Sequence, residues 1–135
     1  MRKPDLIIGD NYLRRWHLIP RNKWFNVYLH NIRKSDDDRA MHDHPYWNVS
    51  IILRGWYIEH VPGARHVCKA GSIIVRPATA LHRLEVPLNG SAWSLFITGR
   101  RVRTWGFQCP QGWRPYFKFV DPNNPGQPGA GCGEP

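Results

Sequence analysis

The segment Met41-His42-Asp43-His44-Pro45-Tyr46-Trp47-Asn48-Val49-Ser50-Ile51-Ile52-Leu53 places two histidines one residue apart and runs directly into a stretch of aromatic and β-branched residues of strand length. On an extended chain, residues i and i+2 project to one face roughly 6.6–7 Å apart. His42 and His44 can therefore converge on one cation at metal–nitrogen distances of about 2 Å, with Asp43 facing the other way. By themselves, two histidines on a strand are more often hydrogen-bonded structural residues than ligands.

Outward from this segment the period of two persists. Trp24-Phe25-Asn26-Val27-Tyr28-Leu29-His30-Asn31-Ile32 and Ala92-Trp93-Ser94-Leu95-Phe96-Ile97-Thr98 read as strands, as does Trp47–Leu53. Turn signals divide the chain at short intervals: Ser35-Asp36-Asp37-Asp38, Gly55, Pro62-Gly63, Ala70-Gly71, Leu88-Asn89-Gly90-Ser91 and Cys109-Pro110-Gln111-Gly112. Many short strands between such turns predict an all-β sandwich or barrel. The one candidate helix lies before Asn22. Residues 1–120 are expected to form a single domain with N-terminal strands. The Pro/Gly-rich stretch 121–135 lacks large apolar residues and is expected to be a flexible tail, or an arm ordered against a partner.

The 135 residues fit one domain, and 41% hydrophobic with 21% charged residues is a globular mixture. No apolar run reaches the roughly 18 residues of a membrane helix, and the three apolar residues after Asp5 are too few for a signal-peptide core; a cytoplasmic location is the expectation. Three cysteines, Cys68, Cys109 and Cys132, match neither a disulfide framework nor a zinc ribbon and read as reduced thiols. The net charge of +9 permits contact with polyanions. Seven tryptophans interleave with Arg14, Arg15, Arg21, Arg100, Arg101 and Arg103. A surface for single-stranded nucleic acid is thus open, but core and interface tryptophans beneath surface arginines are favoured over it.

The spacing beyond His44 carries more. Three residues separate it from Asn48 and six more precede Gly55; later come Gly71, five residues, Pro77, four residues and His82. This resembles the two motifs of the cupin superfamily: Gly, five residues, His-x-His, three or four residues, Glu, six residues, Gly; then Gly, five residues, Pro-x-Gly, two residues, His, three residues, Asn. The departures are Asp36 for the first Gly, Asn48 for the Glu, Thr79 for the internal Gly and Val86 for the last Asn. The resemblance implies a double-stranded β-helix, or jelly-roll, barrel with His42, His44 and His82 as metal ligands and Asn48 in the fourth slot. Leu13-Arg14-Arg15-Trp16 and the stretch from Arg100 to Phe107 also look similar to small uncharacterised cupin proteins of bacteriophages and bacteria, which assigns no activity.

Three imidazoles without a carboxylate leave a divalent ion its full charge and open positions, which suits a chelating small anion. Cupins with such a set include dioxygenases that hold Fe(II), so Fe(II) is favoured, with Zn, Ni or Mn as other choices. Asn48 is assigned to orienting substrate or water. Arg76 is the candidate fork for a substrate carboxylate. Arg83, opposite in parity to His82, should point out of the barrel. Tyr57, Ser50 and Ile52 are candidate cavity-lining residues. Trp47, Val49, Ile51 and Leu53 form an apolar opposite face that a second subunit of a homodimer would cover. Asp36-Asp37-Asp38 reads as a solvated turn, and His60 with His66 as hairpin neighbours without a second metal. His17 and His30 have no spacing partner, and Cys68 and Cys109 are read as small core residues. The expected function is a metal-dependent, dioxygenase-like enzyme on an anionic substrate. The alternatives are a non-catalytic binding or structural cupin, such as a phage accessory protein, and a nucleic-acid-binding protein.

Overall fold

The computed structural model describes residues 2–8, 12–35, 40–87, 90–121, 123–128 and 130–132. The chain forms β1 (Leu6–Ile8), β2 (Leu13–His17), β3 (Asn26–Ile32), β4 (Asn48–Arg54), β5 (Trp56–Val61), β6 (Ala64–Lys69), β7 (Ile73–Arg76), β8 (Arg83–Glu85) and β9 (Ala92–Thr98). There follow β10 (Gly106–Cys109), β11 (Gly112–Pro115), the single-turn α1 (Tyr116–Phe119), β12 (Val120–Asp121) and β13 (Asn124–Pro128). A six-stranded sheet in the order β1-β2-β3-β9-β4-β7 faces a three-stranded sheet, β6-β5-β8, with every neighbouring pair antiparallel. This is the expected jelly-roll architecture.

Alternation along each strand divides the inside from the outside. Leu13 and Arg15 of β2, Asn26, Tyr28, His30 and Ile32 of β3, Asn48, Ser50 and Ile52 of β4, and Ala92, Ser94, Phe96 and Thr98 of β9 share the inward face; apart from Arg15 all are buried. One end of the interior is apolar, where Leu13, Ile32, Ile52, Tyr57, Leu84 and Val86 pack together. The other end is polar and opens into a cavity. The outward face keeps its apolar character in solvent: Ile73 and Val75 of β7 are 66% and 72% exposed, and Trp47 and Leu53 are also exposed.

The two motif glycines sit where the chain reverses with positive φ. Gly55, at +78°, links β4 to β5, and a Cβ there would collide with the Ser91 carbonyl. Gly71, at +93°, precedes β7. The segment before Asn22, expected as a helix, forms β1 and β2 instead. Leu13 to His17 do not alternate in hydrophobicity, and their strand is set by pairing, their backbone groups completing the hydrogen bonding of β3.

Parts of the C-terminal stretch, expected over 121–135 as a flexible tail or an arm, are paired or covalently tied. Asp121 pairs with Asn124 and Val120 with Pro128, and Cys132 is disulfide-bonded to Cys109. A local hairpin and a covalent tie supply the order that apolar side chains do not. Cys109 is therefore not a free thiol; Cys68, buried in the main core, is the free cysteine among the described residues. The cysteine-based expectation of a reducing cytoplasm loses its support, and the structure shows only that no helix among the described residues is long and apolar enough to cross a membrane. Asp36 to Asp38 and Leu88-Asn89, read as turns, lie outside the described residues.

Unfolded, unreduced protein should titrate one thiol rather than three with Ellman's reagent. Cys132→Ser should cost about 2–4 kcal/mol of stability in denaturant melts, the range for closing a loop of this size.

Candidate metal centre

His42 and His82 face each other across an isolated antiparallel bridge, with His42 N donating to the His82 carbonyl at 2.9 Å and His82 N to the His42 carbonyl at 3.0 Å. His44 N donates to the Ala78 carbonyl at 3.0 Å, which pins the segment to the loop between β7 and β8. Between the histidines, Asp43 faces the other way, as alternation requires. Its carboxylate accepts from Gly106 N at 2.7 Å, Trp113 Nε1 at 2.9 Å and Arg103 at 3.0 Å. The β10–β11 hairpin thus clamps Asp43 from outside, and the two imidazoles are turned inward.

One ring nitrogen from each of His42, His44 and His82 lies within 4.8 Å of the others. Two imidazoles bonded to one ion at about 2.1 Å span at most roughly 4.2 Å, so small ring movements bring the three onto one cation. His82 Nε2 and His44 Nδ1 are buried without hydrogen-bond partners. Orphaned, inward-turned lone pairs of this kind fit a divalent ion. Burial lowers the pKa of His44 and of His82, with the neighbouring His82 and Arg76 charges adding to the effect at His44. Both rings are then neutral and available as donors at physiological pH.

The residue that spacing alone missed is Glu59. It lies on the inward face of β5, 3% exposed, and Glu59 Oε2 accepts from His82 Nδ1 at 2.7 Å and from Arg76 Nε at 2.7 Å. Burial pushes Glu59 upward, but the His82 hydrogen bond and the Arg76 charge outweigh it and hold the carboxyl at about 2. The carboxylate fixes the His82 tautomer, leaving Nε2 as the donor atom, an arrangement that orients metal-binding histidines generally. The signal in the sequence was parity: Tyr57 and Glu59 share a face of β5.

Arg76 is not the open fork anticipated for a substrate anion. It is 4% exposed, and besides binding Glu59 it donates to Asn48 Oδ1 at 3.0 Å and Ser50 Oγ at 2.9 Å. Asn48, fully buried and paired in register with both Arg76 and Thr98, accepts from that guanidinium rather than orienting a ligand through its carbonyl. The physical reason is the buried Glu59 charge beside them, which claims the nearest cation. Arg83 is half-buried, with one buried guanidinium nitrogen unpartnered, rather than lying free on the exterior. Ser50 and Tyr57 line the cavity as expected, whereas Ile52 packs in the apolar core. His60 bonds Glu85 at 2.8 Å instead of meeting His66.

The cavity over the histidines has a volume of about 870 Å³. Its wall carries Arg15, Arg21, Lys23, Arg76, Arg100 and Arg101 and no aspartate or glutamate among the described residues. His30, which spacing left without a partner, lies 4% exposed on this wall and accepts from Arg15 Nε at 2.9 Å. Burial, followed by the Arg15 charge, lowers its pKa well below the ordinary value.

Metal-free protein should lose stability as pH falls. His30, His44 and His82 have folded pKa values below the unfolded 6.5, so their contribution is complete above pH 6.5 and declines as protons bind the unfolded chain below it. Glu59, at about 2 against 4.5, withdraws its share only from pH 4.5 downward. Melting temperatures from pH 8 to 3 should fall in those two stages; a flat profile between pH 7 and 5 would contradict the buried neutral histidines.

Solved structures show the same fold at low sequence identity. A cupin-like protein of Thermotoga maritima is 13% identical with a TM-score of 0.64, over 91% of each chain. The DMSP lyase DddQ of Ruegeria pomeroyi is 15% identical with a TM-score of 0.61, over 78% of this chain and 57% of that one. A sugar phosphate isomerase from a cupin superfamily, from Silicibacter pomeroyi, is 15% identical with a TM-score of 0.59, over 77% and 75%. No curated protein matches the sequence significantly. The model of the AraC-like ligand binding domain matches residues 25–102, more than half of the sequence and a span that includes all three histidines. On that match, and on a fold shared with cupins, the chain belongs to the AraC-like ligand-binding domain family within the cupin superfamily.

Proposed function

We propose that this chain is a metal-dependent enzyme acting on a small organic anion, with His42, His44 and His82 as ligands. The observation that carries the reading is the placement of three convergent histidines in a cavity whose wall, among the described residues, has six basic side chains, Arg76 of them paired with Glu59, and no carboxylate. When bound, a divalent ion supplies Lewis acidity and, as Fe(II), electrons for reaction with O₂. The chain's own residues do the rest. Glu59 holds His82 in the tautomer that presents Nε2 and balances the buried Arg76 charge. Arg76 in turn keeps Asn48 and Ser50 in place beside the site. The basic wall attracts a negatively charged substrate, and Tyr28, Tyr46 and Phe96 give it an aromatic flank that keeps the site apolar where charge is not needed.

Two structural relatives, named as a lyase and an isomerase, support catalysis on this fold without indicating which reaction. A second reading, a ligand-binding module whose metal only grips its ligand, is favoured by Asn48. The slot that holds a glutamate in the cupin motif carries a neutral side chain already bonded to Arg76.

Protein purified without tag or chelator should contain about one equivalent of divalent metal, and the His42→Ala/His44→Ala/His82→Ala variant none; equal, negligible metal in both would overturn the metal centre. Iron in the parent would direct assays toward O₂-dependent turnover of carboxylates, and zinc toward hydrolysis. Glu59→Gln should weaken metal binding roughly 10–100-fold, the usual effect of removing a histidine's carboxylate partner.

A further inference from the structure

Arg76 is neutralised by Glu59 and Arg103 is paired with Asp43. Arg15 is held differently. It lies on the inward face of β2, where its neighbour Trp16 turns outward to stack on Trp93 at 5.5 Å. In register with His30 on β3, its Nε donates to His30 Nε2 at 2.9 Å, and its guanidinium carbon lies 4.2 Å above the Tyr28 ring. His30 is itself held by stacking on Phe96 at 4.8 Å and on Tyr28 at 5.9 Å. Among the described residues no carboxylate forms an ion pair with Arg15.

We propose that Arg15 is the anion anchor of the cavity, binding a carboxylate at one end of a ligand whose other end reaches His42, His44 and His82. The assignment rests on the reading that the cavity takes a small organic anion. A neutral acceptor such as His30 fixes the orientation of the guanidinium without cancelling its charge, which a carboxylate in the same place would do. The aromatic face of Tyr28 removes water from one side of the ion. A half-buried, oriented guanidinium that no described carboxylate compensates gains most when an anion supplies the missing charge, and its N–H groups beyond those on His30 and Tyr46 can meet a carboxylate. Phe96, which stacks on His30, lies 6.2 Å from the His44 ring, so the anchor and the histidine cluster share one end of the cavity. Arg21, Lys23, Arg100 and Arg101 line the same cavity but are exposed, and solvent weakens their hold on any single anion.

The test is calorimetric titration of the metal-loaded protein with the straight-chain dicarboxylates from oxalate to adipate and with their neutral diamides. One or more diacids should bind while the diamides do not. Arg15→Gln should weaken the best diacid at least about tenfold with metal content and melting temperature unchanged. Arg15→Lys should weaken it less, because charge survives without the fork. Arg65→Gln, an equal charge loss on the exposed β5–β6 hairpin, should match the parent. If the parent binds a diacid and Arg15→Gln binds it equally well, or Arg65→Gln loses as much, Arg15 is not the anchor although the anionic reading stands. If the metal-loaded parent binds no diacid, both fall. Should Arg15→Gln fail to fold, unaltered affinity in Arg15→Lys overturns the assignment.

Discussion

The carboxylate of Glu59 is a charge taken almost completely out of water, and the arrangement of the site follows from how that charge is satisfied. A lone ionised carboxyl in such a place would take up a proton; this one stays ionised because His82 donates to it and the Arg76 guanidinium lies against it. Breaking a buried pair of this kind by removing one member leaves the other uncompensated, at a cost of about 3–5 kcal/mol. The inward faces of β4, β5 and β7 and the start of β8 are therefore tied together by one ionic contact. Tautomer choice at His82, the position of Asn48 and the internal pairing of Arg76 are three results of that single contact.

A second constraint is geometric. Asp43, between two histidines, can turn only outward, and outside it finds three donors on or beside the β10–β11 hairpin. That hairpin packs over a smaller apolar cluster of Phe107, Cys109, Phe119 and Val120, to which the disulfide attaches the end of the chain. The orientation of the first two histidines is thus anchored in a part of the molecule that, among the described residues, contributes only Phe107 and the neighbouring Trp105 to the cavity wall.

The central strands were legible from a short-range rule, and the histidine triad from a motif resemblance. Alternation marked the cores of β3, β4 and β9, and the resemblance to the cupin motifs picked out His42, His44 and His82, which the fold brings within reach of one ion. What was not legible depends on pairings between strands far apart in sequence. Nothing local to Glu59 says that His82, across a strand boundary, needs it, nor that Arg76 would be absorbed there. His30 and Arg15 meet only because β2 pairs with β3 in one register, and β2 itself was hidden behind an apparent helix. The β12–β13 pairing and the Cys109–Cys132 bond were not legible for a related reason, since a disulfide and a backbone hairpin leave no apolar signature.

The exposed cations at the cavity mouth have a consequence for rates rather than for strength. Trp24 is 61% exposed there, with the Lys23 ammonium 5.1 Å and the Arg100 guanidinium 5.9 Å from its ring centre. Such solvated charges attract an approaching anion over about a Debye length, roughly 8 Å at physiological ionic strength, and hold it loosely once it arrives. They act on the association step, which salt slows, whereas a desolvated cation deeper in the cavity acts on the time a ligand stays. Capture and retention are thereby assigned to different arginines of one wall, so that one can vary without the other.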